Sequence, residues 1–290
     1  MNFQDYFTLS NGMKLPCMGF GTYNPDNGAD NKKIILDAID AGYRYFDTAS
    51  LYETERDLGN AIIESGIDRK DLIIATKVWI DEMGYEETLA AFDRSLNRLQ
   101  MDYVDFYLIH WPRQNEKDTD WKERDHETYR AMCELKKQGK IKGLGLSNFL
   151  PHHLEPLWDA FEEKPLVDQL ELHIGHSQEN ALNYCREHDI LAQAWSPLGR
   201  NKVLNNEIIK DIAAKYKRTT AELCIRYLLQ KGIFPIVKSS TRERMLSNMK
   251  ILEFELKKED MQLLDCMPQT LWLGEHPDFS IPKKGSNLNQ

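Results

Sequence analysis

The feature that most constrains how this chain can fold is the rhythm of its apolar segments. After an opening stretch, Phe7-Thr-Leu-Ser-Asn11-Gly12-Met-Lys-Leu, short apolar runs alternate with amphipathic helical patterns. The runs end near Gly21, Asp47, Lys77, His110, Ser147, Glu171, Ser196 and Ser239. Eight runs at intervals of about 30 residues match a repeated strand–helix unit. Runs such as 72–76 and 107–109 are apolar without alternation, as parallel strands covered on both faces require. The segments between them carry the helical period. Leu89, Phe92, Leu96 and Leu99 share one face of a helix predicted over 84–100, and Gly42 sits where the helix built on Ile35, Ala38 and Ile39 needs a left-handed cap. The longest interval, 196–238, holds two helical patterns, about 206–217 and 220–230, so one extra helix is inserted there.

This pattern predicts an α/β fold: an eight-stranded (β/α) barrel with extra helices near the C-terminus. A β-hairpin over about 1–15 precedes it, with Asn11-Gly12 in a type I′ turn. The stretch from about 268 to 290 reads as a loop or tail that could cover a pocket. No linker, repeat or low-complexity segment divides the 290 residues, so one domain over 1–290 is expected.

Composition narrows the setting. With 41% apolar and 29% charged residues the chain suits a soluble globular protein. No apolar run approaches the roughly 20 residues that span a bilayer, and Met1 to Leu9 lack the features of a signal peptide. The five cysteines are odd in number and never spaced as CxxC, which suggests reduced thiols in the cytoplasm. A net charge of -9 opposes binding to nucleic acid or anionic membrane, so an anionic cofactor needs a local basic pocket.

Barrel enzymes build their sites at the C-terminal ends of the strands. Here those ends carry Gly21-Thr22, Asp47, Lys77, His110, Ser147-Asn148, Gln169, Ser196 and Lys238-Ser239. Any one of them can be a plain strand exit. Together with Tyr52, however, Asp47, Lys77 and His110 form a set with a chemistry. Tyrosine, with a pKa near 10, is a poor proton donor at neutral pH. A neighbouring lysine ammonium is expected to lower that value, and a carboxylate beside the lysine keeps it charged and oriented. His110 can then polarise a carbonyl oxygen by a hydrogen bond. No GxSxG elbow is present, so proton transfer to oxygen is favoured over acyl transfer.

Reduction of a carbonyl also needs a hydride from a cofactor. Gly19-Phe-Gly21 and Gly143-Leu-Gly145 both lack the third glycine of the dinucleotide fingerprint, which argues against a Rossmann site. The stretch Ile236-Val-Lys238-Ser239-Ser-Thr-Arg242-Glu-Arg244 offers a basic cluster leading into a helix, suited to a phosphate or simply a solvated turn. Tyr23, Trp79, Trp111 and Trp272 serve either as core or as an apolar substrate-pocket wall. His173 and His176 have no third ligand at a recognisable spacing, and the side chains of His152 and His153 are expected to diverge, so no metal site is expected.

These residues resemble the aldo-keto reductase family over nearly the whole chain. Gly42-Tyr-Arg-Tyr-Phe-Asp47-Thr-Ala49, with Glu55 and Leu58-Gly59 at their offsets, resembles the family's first signature. Gly145-Leu-Ser147-Asn148-Phe149 resembles the second, and Lys238-Ser239 with Arg244 and Asn248 the third. The resemblance implies an NADPH-dependent reductase of small carbonyl compounds, monomeric, with Tyr52 as proton donor, Lys77 and Asp47 tuning it and His110 orienting the carbonyl. It gives the nicotinamide carboxamide to Ser147, Asn148 and Gln169, the 2′-phosphate end to Lys238, Ser239, Arg244 and Asn248, and further cofactor lining to Gly21, Thr22, Trp195, Ser196 and Leu198. Three positions depart from the family's habit: Trp195 stands for a stacking tyrosine, Ser247 for a glutamate and Ile174 for a proline. A cofactor-binding regulatory or structural protein on the same fold, and a barrel isomerase or lyase with a phosphate site, are the competing readings. All four members of the catalytic set are present, which favours an enzyme.

Overall fold

In the computed structural model, the described residues are 6–24, 29–270, 272–273, 275–279 and 281. The first five residues of the hairpin segment, and residues 271, 274, 280 and 282–290 of the tail, therefore lie outside them. Strands β1 (Phe7–Thr8) and β2 (Lys14–Leu15) pair antiparallel as the hairpin. Eight parallel strands then close on themselves: β3 (Gly19–Gly21), β4 (Tyr45–Asp47), β5 (Ile73–Val78), β6 (Val104–Ile109), β7 (Ile141–Ser147), β8 (Val167–Glu171), β9 (Leu191–Trp195) and β10 (Phe234–Val237). Each lies beside its neighbour in the chain, and β10 pairs with β3 to complete the ring.

Helices α1 (Asn31–Asp40), α2 (Glu55–Ser65), α3 (Tyr85–Leu99), α4 (Trp121–Lys137), α5 (Pro151–Ala160) and α6 (Glu179–Glu187) follow β3 to β8 in turn. The long interval after β9 holds α7 (Glu207–Lys215) and α8 (Thr220–Gln230), so the inserted helix is there. After β10 come α9 (Arg242–Asn248) and α10 (Lys258–Asp265). No helix among the described residues is long and apolar enough to cross a membrane.

The period of two along each strand sorts residues between two cores. Phe46, Ile74, Tyr107 and Leu144 point outward to the helices, whereas Tyr45, Ala75, Phe106, Leu108, Val167, Phe234 and Ile236 fill the barrel with Leu9 and Leu15 of the hairpin. Two glycines on β7 make that filling possible. A Cβ at Gly145 would come within 2.7 Å of the Leu108 side chain, and one at Gly143 within 2.7 Å of Phe106.

The hairpin turn differs from the type I′ expectation. Only Gly12 has a positive φ, +84°, while Asn11 does not. The Gly12 N–H donates to the Leu9 carbonyl at 2.8 Å, and the Asn11 side chain accepts from the Met13 N–H at 3.0 Å. The loop is thus one residue longer than a two-residue turn, and a single left-handed glycine suffices.

Glu55, Leu58 and Gly59, conspicuous in the sequence, are explained by packing. The buried Glu55 carboxylate accepts from Thr76 Oγ1 and Arg98 Nε, both at 2.6 Å, joining α2 to β5 and α3. A Cβ at Gly59 would collide with the Leu99 carbonyl at the end of α3. Gly59→Ala should therefore lower stability by about 2 kcal/mol through overpacking, despite alanine's better helix propensity. A shift of the urea midpoint measures it, and an unchanged or raised midpoint would contradict the close approach.

Candidate active site

The same alternation that points Tyr45, Ala75 and Leu108 into the barrel places Asp47, Lys77 and His110 on the inner face, one step further along, at the mouth. Lys77 is fully buried, and its ammonium donates to Asp47 Oδ2 at 2.7 Å, to the Thr48 carbonyl at 3.0 Å and to the Tyr52 hydroxyl at 3.4 Å. Tyr52 comes from a 3₁₀ turn, Ser50–Tyr52, directly after β4. That turn is tied down where Ser50 Oγ donates to Glu82 at 2.7 Å. His110 Nε2 lies 3.4 Å from the Tyr52 hydroxyl, while its Nδ1 is buried with no hydrogen-bond partner among the described residues. With nothing fixing a proton on Nδ1, the ring can carry it on the nitrogen that faces the cleft.

Electrostatics at the mouth depart from expectation in one respect. Burial, then the Asp47 carboxylate and Tyr23, hold the Tyr52 phenol well above the usual tyrosine range, rather than below it. The lysine does not prevail because burial weakens its own charge: the Lys77 pKa is lowered by desolvation, against the opposing pull of Asp47. Burial and then Lys77 push His110 well below the ordinary histidine value. Both shifts favour the uncharged forms, a phenol beside an imidazole, an arrangement that can donate hydrogen bonds toward the cleft.

A cleft of about 200 Å³ opens over these groups. Gly21, Tyr23, Asp47, Tyr52, His110, Trp111, Ser147, Asn148, Gln169, Trp195, Ser196 and Lys238 all line it. The hydroxyl of Ser147 donates to the Gln169 carbonyl at 2.9 Å, and the Gln169 amide donates to Asp47 Oδ1 at 2.9 Å. Asn148, at φ +65°, turns its amide toward the backbone of His110. Trp195 is half-buried and presents its ring to the cleft.

Other expected site residues stand elsewhere. Thr22 is buried, sharing a hydrogen bond of 2.8 Å with Thr54 behind the mouth. Trp79 packs edge-on against His110, with ring centroids 5.1 Å apart, and lines a neighbouring pocket on the other side. Trp272 lines a second cleft beside His173 and Met267, set edge-on to His176, rather than the cleft over Tyr52 and His110. Leu198 is half-buried next to the lining residue Pro197. Beyond Lys238, the Ser239 hydroxyl turns back to the Thr241 carbonyl, Asn248 is buried against Tyr43, and Arg244 is exposed on α9.

Residues that the sequence did not single out also reach the cleft: Leu51, Ile236, Arg200 and Glu275. Arg200 and Glu275 pair at 2.5 Å and tie the segment after β9 to the C-terminal segment. Arg200 is held at φ +47°, a left-handed conformation rare for a residue with a Cβ. The Arg near Trp195 had no signal in the sequence beyond its place just after a strand end.

His152 and His153 do not diverge. Their rings lie 3.9 Å apart, and both Nε2 atoms meet Asp278 Oδ1, at 3.1 and 2.9 Å, with Arg113 3.4 Å from the same oxygen. Three such groups could face one ion. Yet the Leu150 N–H donates to His153 Nδ1 at 3.2 Å, which puts that ring's proton on Nε2. The arrangement is therefore a clasp in which the His153 N–H and the Arg113 guanidinium, with His152 beside them, hold the carboxylate of the C-terminal segment. Both rings stand in the first turn of α5 and meet that segment at Asp278.

Comparison with known proteins places this geometry in a family. The aldo/keto reductase family model matches residues 17–267. A glyoxal reductase of Bacillus subtilis is 41% identical over 275 residues, covering 95% of this chain and 97% of that protein. A 9,11-endoperoxide prostaglandin H2 reductase of Trypanosoma cruzi is 37% identical, with 95% of each chain covered. Among solved structures, an aldo-keto reductase from a deep-sea metagenome library superposes with a TM-score of 0.89 at 34% identity, covering 95% of this chain and all of that one. Another, an aldo-keto reductase complexed with NADPH, has a TM-score of 0.88 at 30% identity, with 97% and 95% covered. A closed parallel barrel, a buried lysine between an aspartate and a tyrosine at its mouth, and full-length similarity to these reductases lead to one statement: this chain belongs to the aldo/keto reductase family.

Proposed function

We propose that this protein reduces small aldehydes and ketones to alcohols with NADPH, with Tyr52 giving a proton to the carbonyl oxygen. The observation that carries the reading is Lys77, buried and bridging Asp47 and Tyr52 with His110 alongside. Tyr52 is the acid and is kept protonated. Lys77 stabilises the charge that grows on its oxygen, Asp47 orients Lys77, and neutral His110 donates to the same carbonyl oxygen. Among the described residues at the mouth, the Ser147 hydroxyl is committed to the Gln169 carbonyl and the Lys77 ammonium to Asp47, which supports proton transfer over a covalent route.

The cleft's donor set suits NADPH, which supplies the hydride when bound. Trp195 offers an aromatic face, Ser147, Asn148 and Gln169 offer polar atoms around it, and Lys238 offers a cation along the same channel. The exposed Arg244 lies on the helix that follows Lys238. Tyr23 and Trp111 offer aromatic walls for a substrate, and the dicarbonyl implied by the name of the Bacillus relative is a suitable first one. We further propose a cytoplasmic monomer.

The test is NADPH oxidation against a panel of aldehydes, ketones, dicarbonyls and sugars, with NADH in parallel. Turnover with preference for NADPH is expected. Tight NADPH binding without turnover on any of them would instead favour a regulatory role. Lys238→Ala and Arg244→Ala should each weaken NADPH about tenfold more than NADH, because a charge-assisted bond to the 2′-phosphate is lost only with the former. Equal losses for both cofactors, read from their dissociation constants, would remove the assignment.

A further inference from the structure

Trp195 does more at this mouth than offer a face. It ends β9, faces inward with Gln193, and its Nε1–H donates to Asn148 Oδ1 at 2.8 Å. Asn148 is buried and turned out of strand geometry at φ +65°. Its Nδ2 group donates to the His110 carbonyl at 3.0 Å and to Ser147 Oγ at 3.1 Å, while its own N–H donates to the Gln169 carbonyl at 2.9 Å. A primary amide has two N–H donors and an oxygen with two lone pairs. Both donors and one lone pair are thus engaged inside the protein. The amide has one orientation that satisfies all its partners.

The consequence is a three-residue chain of hydrogen bonds, from the indole through Asn148 to the backbone of His110. The indole is held by its polar edge, so its plane cannot pivot as a plain phenyl ring could. Arg200, itself paired with Glu275, lies 5.8 Å from the Trp195 ring and flanks it. A tyrosine, usual at this position in the resemblance, has its polar atom at the tip of the ring, not along the edge where the indole N–H sits. This link therefore belongs to the tryptophan.

We propose that the indole N–H of Trp195 is a positioning group for the reduction, setting the aromatic platform in register with His110 through Asn148. The inference rests on the reading that NADPH lies against Trp195. If the platform carries the hydride donor and His110 holds the carbonyl oxygen, their relative placement sets the distance the hydride must cross. Misplacement by about 1 Å can cost on the order of 100-fold in rate. The N–H acts on register, not on affinity, because the aromatic face that a cofactor would stack on remains in Trp195→Phe and Trp195→Tyr.

Two measurements test this. In the cofactor-free protein, deuterium exchange at the Trp195 indole, assigned by the signal missing in Trp195→Phe, should be slow and should accelerate at least about tenfold in Asn148→Ala. With NADPH, Trp195→Phe and Trp195→Tyr should lower kcat about tenfold and raise the isotope effect from deuterated NADPH, while the NADPH dissociation constant moves less than about threefold. Trp195→Phe added to Asn148→Ala should cost little more than Asn148→Ala alone. Fast indole exchange in the unsubstituted protein, an unchanged kcat in both Trp195 variants, or a loss confined to NADPH affinity would each overturn the proposal. If the unsubstituted protein fails to oxidise NADPH, the parent reading fails, and the exchange experiment still decides whether the Trp195–Asn148 bond exists.

Discussion

Replacing Tyr52 by phenylalanine should lower kcat for carbonyl reduction by about 1000-fold while leaving NADPH affinity nearly unchanged. The substitution removes one oxygen from the mouth and leaves the ring, which packs 5.1 Å from Tyr23 and 5.4 Å from His110. The oxygen it removes accepts from Lys77 and lies within reach of His110, so on the proposed route the group that would protonate the alkoxide is lost. The pH profile provides an independent check with a definite sign. The active form of an acid is the protonated one, present below its pKa. Burial and Asp47 raise the Tyr52 pKa while desolvation lowers that of Lys77, so the reduction rate should stay level through neutrality and fall on the alkaline side as the pair loses its first proton. His110 is neutral because its pKa is lowered, so no acidic limb should appear near the ordinary histidine value of about 6.5. A Tyr52→Phe variant that keeps most of its rate, or an alkaline limb centred near neutrality, would refute Tyr52 as the donor. The alkaline limb belongs to the Tyr52–Lys77 pair, since Lys77 titrates beside it.

The barrel and the core of its site are legible in the sequence because both depend on periodicity. An inward position recurs every second residue, so the residue that ends an inward-facing run must stand at the mouth. This is why the pattern of apolar runs alone suffices to place Asp47, Lys77 and His110 at the mouth. Tyr52 needs more, because it comes from a turn beyond the strand, and its role is given by the resemblance rather than by periodicity. What periodicity cannot supply is contact between distant segments. The pairing of Arg200 with Glu275 spans 75 residues, and the clasp of His153 on Asp278 spans 125. Trp79 and Trp111 follow adjacent strands at similar offsets, yet one backs His110 and the other lines the cleft, a difference set by neighbouring side chains. Trp272 lies in the C-terminal segment, where no strand gives a direction to read. The Tyr52 pKa departs from the sequence expectation for a related reason: the sequence brings a lysine near, but only burial decides how strongly its charge acts.

Lys77→Met should both unfold the protein more readily and stop the reaction, and the two effects can be separated. The side chains of Lys77 and Asp47 are 0% and 4% exposed, so removing the ammonium leaves a buried carboxylate with, among the described residues, the Gln169 amide alone bound to it. Breaking a buried pair in this way costs about 3–5 kcal/mol, more than leaving both partners out. Methionine has a similar reach and fills the same space, so little of the loss should come from a cavity. Adding Asp47→Asn removes the stranded charge, and the double variant should recover to within about 1 kcal/mol of the original stability. Its turnover should nevertheless remain down by at least about 100-fold, because no cation then offsets charge on the Tyr52 oxygen. Urea unfolding of the two single variants and the double variant, beside kcat for each, forms the cycle. If the double variant regained turnover along with stability, Lys77 would be a structural residue, and the proton donor would not need it. If Lys77→Met lost turnover with no loss of stability, the buried pair would contribute to catalysis alone.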